Sequence, residues 1–246
     1  MWFMLLQKGA ICVKINKKTK EQDMRILFQG DSITDGNRYK DESSRWDKNH
    51  QIGHTYAYIV TGLFTMKYPE RGFEFINRGV SGNRTEELLE RWERDTLSEN
   101  PDVLCVLIGT NDTNCGYEGK EYDEDASGYE ERYRTLLAQA RAQNPQLKIV
   151  IMEPFAYIDT QAPSDIASYD FKKRKMKNVQ AKARKIAKEF GAIFVPLQVH
   201  FDKIIDTPSA KYWMWDGVHP TEAGHALVAR ELCSALNKIL LTNIEF

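Results

Sequence analysis

From Met24 onward the chain alternates short apolar runs with longer stretches in which apolar residues recur every three or four positions. The runs lie at Arg25–Gln29, Phe73–Asn77, Val103–Ile108, Lys148–Met152 and Ala192–Val195, each four to six residues long. Continuous apolar runs of that length suit strands covered on both faces. Between them, Tyr56, Ile59, Leu63 and Met66 share one helical face, and Leu88, Leu89 and Trp92 another. Tyr129, Tyr133, Leu136, Leu137 and Ala140 keep helical spacing, as do Val179, Ala183, Ile186 and Phe190. A last helix is expected to start near Pro220, with Ala226, Ala229, Cys233, Leu236 and Leu240 on one stripe. Strand–helix alternation repeated five times predicts an α/β fold: a five-stranded parallel sheet with helices on both faces, a three-layer sandwich of flavodoxin-like form.

Length and charge narrow the partners. A chain of 246 residues with no Pro/Gly-rich linker or internal repeat reads as one domain over 24–246, preceded by a basic, poorly patterned and flexible extension over 1–23. Lys plus Arg number 34 against 35 Asp plus Glu, for a net charge of -1, which argues against a phosphate-backbone partner. No run approaches the roughly 18 apolar residues of a membrane span. The opening Trp2-Phe3-Met4-Leu5-Leu6 is too short for a signal-peptide core. Cys12, Cys115, Cys105 and Cys233 form no C-x-x-C pair, which suits free thiols in a reducing compartment. A soluble cytoplasmic protein is expected, binding neither nucleic acid nor membrane. Glu118–Asp125 reads as a solvated acidic loop. Lys172–Lys188 carries nine Lys or Arg around an apolar stripe and reads as an exposed helix face rather than an anion dock.

Parallel sheets place their sites at the carboxyl ends of strands. Four segments fall there or beside the last helix: Gly30-Asp31-Ser32-Ile33-Thr34-Asp35, Asn77-Arg78-Gly79-Val80-Ser81-Gly82-Asn83, Gly109-Thr110-Asn111-Asp112, and Asp216-Gly217-Val218-His219-Pro220. Each alone is an ordinary turn or cap sequence. Together they supply the parts of an acyl-transfer site. Ser32 would open a helix, where developing negative charge is favoured. Serine needs a base to become a nucleophile, and His219, with an ordinary pKa near ~6.5, can act as one. Asp216, three residues earlier, can reach the imidazole Nδ1–H in a tight turn. The Ser32 N–H, Gly82 N–H and Asn111 side-chain amide are candidate oxyanion donors, each worth ~2.7–4 kcal/mol in comparable sites.

These four blocks, in this order, resemble the SGNH hydrolases, also called GDSL-type esterases. Their signature residues correspond to Ser32, Gly82, Asn111 and His219, with Asp216 as third triad member. Ile33 stands where the first block usually has leucine. The likeness runs from about Met24 to Leu240 and implies the SGNH hydrolase fold and a cofactor-free, metal-free serine esterase. Arg38, the Asn77–Asn83 phrase, and Trp215–Pro220 with Ala223-Gly224-His225 are similar to bacterial acetylxylan esterases and related carbohydrate deacetylases. That implies acetyl removal from sugars such as acetylated xylan or xylo-oligosaccharides, and suggests self-association.

Asp31, Arg38 and Trp215 are candidate substrate contacts. Trp215, with Tyr212 and Trp213, could stack on a sugar ring or simply pack the core. Arg38 could instead pair with Asp35. His50 and His54, at i and i+4, lack a third ligand for a metal. His225 reads as packed or solvent-facing. Two rival functions remain open: a thioesterase or lysophospholipase with a long acyl channel, and a non-catalytic flavodoxin-like binding domain.

Overall fold

A computed structural model describes residues 24–41, 48–113, 125–156, 166–204 and 207–246. The expectations for residues 1–23, Cys115 and most of the Glu118–Asp125 loop lie outside these residues.

Five strands form the sheet: β1 (Arg25–Gly30), β2 (Glu74–Asn77), β3 (Val103–Leu107), β4 (Lys148–Met152) and β5 (Ile193–Val195). All four pairings are parallel and the order is β2-β1-β3-β4-β5. The predicted strands therefore stand, with ends shifted by a residue at most. The longer helices are α3 (Tyr56–Lys67), α5 (Ser127–Gln143), α6 (Ile166–Glu189) and α9 (Glu222–Leu240). Shorter ones are α1 (Ser32–Asp35), α2 (Lys48–Ile52), α4 (Thr85–Glu90), α7 (Gln198–Ile204) and α8 (Ala210–Trp213).

The strand period of two sorts side chains between two cores. Ile26, Phe28, Val103, Cys105, Leu107, Val150 and Met152 face one side, where α3, α7 and α9 cover them. Leu27, Leu104, Val106, Ile149 and Ile151 face the other, beneath α4, α5 and α6. Because both faces are covered, the central strands carry apolar residues at nearly every position. Burying a side chain such as Phe28 contributes about 1.5–3 kcal/mol.

Two expectations change. The buried face of α3 is Tyr56, Ala57, Val60 and Phe64, while Met66 is 74% exposed. Phe64 meets Tyr68, Phe73 and Phe75 in an aromatic cluster beside β2, and this rotates the helix away from the face read from its spacing. Pro220 lies before α9 rather than in its first turn. Thr221 is the N-cap, accepting from the Gly224 N–H, and Pro220 bridges to Met214. The basic run on α6 is largely the exposed face expected of it, with Lys173, Arg174, Lys177, Arg184, Lys185 and Lys188 exposed, and part of it makes specific pairs. Lys182, Lys185 and Arg134 surround Glu130 at 2.5–2.7 Å, Arg184 pairs with Glu153, and Lys175 is buried with Nζ 3.4 Å from the Thr113 carbonyl. Three cations at hydrogen-bond distance hold the Glu130 carboxyl down to about 2.

Cys105 and Cys233 are buried free thiols. Among the described residues, no helix is long and apolar enough to cross a membrane.

Candidate active site

The strand order reverses between β1 and β3, which opens a crevice at their carboxyl ends. Three of the four segments enter that rim from the sheet and the fourth reaches it from the loop before α9. Ser32 is the first residue of α1, immediately past β1. Its Oγ lies 2.8 Å from His219 Nε2. His219 Nδ1 lies 2.6 Å from Asp216 Oδ2. The other Asp216 oxygen accepts the backbone N–H groups of Val218 and His219 at 3.0 and 2.7 Å. Burial alone would push the Asp216 carboxyl up, but the two His219 hydrogen bonds and the Val218 N–H outweigh it and hold the group below its ordinary value. An ionised carboxylate on Nδ1 fixes the tautomer that leaves Nε2 free to accept the Ser32 proton.

Gly82 and Asn111 come from two other loops. The Asn83 N–H donates to the Val80 carbonyl, closing a turn whose third residue, Gly82, has φ +80°. That left-handed conformation favours glycine. A Cβ on Gly82 would meet nothing within 4 Å, so space beside it is open. The turn is anchored to the nucleophile segment through Asp35, whose carboxylate accepts the Ser81 N–H and Oγ–H at 2.8 and 3.0 Å. Gly79 passes so close that a Cβ there would stand 2.5 Å from the Asp35 nitrogen. Asn111, after β3, donates from Nδ2 to the Asn83 carbonyl at 3.1 Å, leaving its second amide hydrogen for a ligand. Asp112 beside it accepts the Thr85 N–H and hydroxyl at the start of α4.

Two candidate substrate contacts turn inward. Asp31 is 1% exposed and caps α1 through the Ile33 N–H at 3.0 Å. Burial pushes its carboxyl up to about 7, with Asp112 adding to the rise and the Ile33 N–H and His219 opposing it. Arg38 is 8% exposed and donates from Nε to the Gly79 carbonyl at 3.1 Å. Asp35 pairs with Lys40 at 3.1 Å and accepts the Arg38 backbone N–H at 3.2 Å. Trp215 does line the site. It is 64% exposed, with its ring stacked on His219 at a centroid distance of 5.6 Å and 19° between planes. Of its neighbours, Trp213 packs on the core and Tyr212 is exposed.

A cavity of about 450 Å³ opens in front of Ser32 and His219, lined also by Asn37, His54, Thr55, Trp215, Glu222 and His225. Sequence reasoning gave Asn37 and Thr55 no role, and treated His54 only as a partner of His50. His225 accepts the Tyr56 N–H at Nδ1, 3.3 Å away, and burial, with the His54 and His219 charges, lowers its pKa to about 4. It is therefore a neutral side chain in this cavity at ordinary pH. No spacing rule could have grouped these residues, because they come from three separate elements. Among the described residues, no three His, Cys, Asp or Glu side chains converge as a metal site.

The fold and this rim define a class, the α/β acylhydrolases built around a serine–histidine pair. The chain belongs to the GDSL-like lipase/acylhydrolase family, whose sequence model matches residues 28–227, and it is accordingly a carboxylic ester hydrolase. It is 34% identical over 210 residues to an acetylxylan esterase of Geobacillus stearothermophilus, spanning 84% of this chain and 90% of that protein. A crystal structure of an acetylxylan esterase from the same organism superposes with a TM-score of 0.72 at 30% identity, over 89% of this chain and 96% of the other. A protein described as a GDSL-like lipase from Parabacteroides merdae superposes with a TM-score of 0.76 at 37% identity, covering 87% and 96% of the two chains. Solved catalytic mutants of the Geobacillus esterase replace a serine, an aspartate and a histidine with alanine, the histidine three positions after the aspartate. A further variant replaces the tryptophan immediately before that aspartate.

Proposed function

We propose that this esterase removes short acyl groups, acetyl above all, from carbohydrate hydroxyls such as those of acetylated xylan or xylo-oligosaccharides, with Ser32 as nucleophile. The observation that carries the reading is the hydrogen-bonded line from Ser32 Oγ through His219 to Asp216, at 2.8 and 2.6 Å. His219 takes the Ser32 proton as Oγ attacks the ester carbonyl. The tetrahedral oxyanion lies among the Ser32 N–H, the Gly82 N–H and the Asn111 amide. His219 then protonates the departing sugar oxygen. Water, deprotonated by the same imidazole, attacks the acyl-Ser32 ester; the second tetrahedral intermediate collapses, His219 returns the proton to Oγ, and acetate leaves. Asp216 stabilises the imidazolium in both half-reactions.

The carbohydrate reading is supported by Trp215, whose exposed ring lines the cavity and suits stacking on a pyranose. The Asp-x-x-His spacing and the tryptophan before it match the pattern substituted in the Geobacillus esterase variants.

The test is acetate release from acetylated xylo-oligosaccharides, paired with acetyl, butyryl and octanoyl p-nitrophenyl esters. Acetate release and a steady fall of kcat/KM from acetyl to octanoyl are expected, because an acyl site fitted to acetyl penalises each added carbon. Ser32→Ala should abolish both, since loss of one member of a comparable triad costs on the order of 10⁶ in kcat. A maximum at octanoyl would favour a thioesterase or lysophospholipase. Full turnover by Ser32→Ala would overturn the serine mechanism.

A further inference from the structure

Under the rim lies a buried polar layer that no step of ester hydrolysis touches. Its centre is Arg91, at the end of α4 and 7% exposed. Its Nε donates to Asn83 Oδ1 at 2.6 Å. Its Nη1 donates to the Arg78 carbonyl at 2.7 Å and to Gln29 Oε1 at 3.0 Å, with Asp95 Oδ2 at 3.2 Å. Its Nη2 reaches the Gly30 carbonyl at 3.2 Å. Gln29, fully buried in β1, is itself held through Nε2 by the Asp95 carbonyl and Thr96 Oγ1.

These acceptors are not scattered. Gly30 is two residues before Ser32. Arg78 and Asn83 are the two shoulders of the segment that carries Gly82. The Asn83 carbonyl, in turn, accepts the Asn111 amide at 3.1 Å. One planar guanidinium thus spans the nucleophile strand and both ends of the donor loop. It reaches the third donor through a single intervening residue.

We infer that Arg91 is a positioning residue of the oxyanion-binding rim, locking Asn83 and hence the Gly82 N–H and the Asn111 amide at fixed places relative to Ser32. This rests on the serine mechanism proposed above. A buried cation is an expensive way to fill space, and apolar replacements of buried ion pairs are often neutral or stabilising. What an apolar side chain cannot do is hold three oxygen acceptors from two segments at set angles. Lysine cannot do it either, since its ammonium is a point charge without the rigid fork. Burial lowers the Arg91 pKa to about 10, against the pull of Asp95, so it stays charged through the working pH range. Oxyanion donors act only when already aimed at the transition state, so a loop that wanders by a fraction of an ångström loses rate rather than substrate affinity.

The test is a double-mutant cycle in the full chain, read as kcat and KM on p-nitrophenyl acetate. Arg91→Lys keeps the charge and removes the fork. Asn83→Ala removes only the side-chain acceptor and keeps the carbonyl that holds Asn111. Each single variant is expected to lower kcat by roughly 10–100-fold, less than outright loss of a donor at ~10²–10³, with KM within about twofold. The double variant should be little worse than either single, because both break the same link. A wild-type kcat in folded Arg91→Lys, or in Asn83→Ala should Arg91→Lys fail to fold, would overturn the inference, as would losses that multiply in the double variant. Failure of the serine mechanism itself would be seen separately, as undiminished turnover in Ser32→Ala.

Discussion

The two halves of the rim are built in opposite ways. On the side proposed to carry the nucleophile, Ser32, Gly82 and Asn111 come from three separate segments tied by part-buried hydrogen bonds through Asp35, Asn83 and Arg91. On the base side, His219 and Asp216 sit in an exposed turn whose bonds are nearly all local. Asp216 receives two backbone N–H groups from within three residues, the Trp215 N–H donates to the His219 carbonyl, and Met214 bridges to Pro220. The carboxylates on either side of His219 show the same contrast. Asp31 is buried and pushed up; Asp216 is part-exposed and held down. Donors must be preorganised to stabilise a charge that exists only briefly.

The contrast is broken most severely from the base side. Asp216→Asn should cost about 10⁴ in kcat, as the loss of tautomer control does in comparable triads, with folding intact because the turn is exposed. Steady-state kinetics beside a circular-dichroism melt would check this. A loss below tenfold would mean that His219 does not depend on Asp216. On the donor side, Asn111→Ala should lower kcat by roughly 10²–10³ with a smaller change in KM. If KM alone rises, Asn111 binds substrate rather than the oxyanion.

The smallest effect is on stability and concerns Asp31. In the unfolded chain its carboxyl ionises near ~3.9, whereas in the fold it ionises at about 7. Between these values the unfolded state has lost a proton that the native state keeps, so stability falls as pH rises from ~4 to ~7 and then levels off. At 1.36 kcal/mol per unit the upper bound is about 4 kcal/mol, of which relaxation around a buried group leaves on the order of 2. The substitution Asp31→Asn keeps a side-chain acceptor for the Ile33 N–H and removes the ionisation. It should therefore stabilise the protein at pH 8 and leave it unchanged at pH 4, measured as urea midpoints. An equal shift at both pH values would mean that Asp31 does not titrate in this window.

Much of this molecule was legible before folding. The five apolar runs are strands to within a residue, because the parallel sheet buries both of their faces and leaves composition no other solution. The four chemical segments were legible because each occupies a strand end or helix start. Asp216 and His219 were the easiest to pair, since their contact is made within a four-residue turn. Ile33, in place of the usual leucine, packs inward and leaves Ser32 untouched.

Tertiary structure alone decided the rest, and for one physical reason: contacts between distant segments carry no periodicity and no spacing. The rotation of α3 depends on an aromatic cluster completed by β2. Asp31 and Arg38 look like polar residues beside an active site, yet a helix N-terminus and the Gly79 carbonyl draw them inward. His54 and His225 are 171 positions apart and line one cavity. Arg91 stands at the end of α4 as one charged residue among many, and only the folded chain sets its guanidinium against the end of β1 and both shoulders of the Gly82 loop at once. The sequence by itself determined the fold class and the placing of four chemical segments at strand ends and a helix start, which local propensity and burial dictate. The aim of the donors and the shape of the pocket required the chain to close on itself.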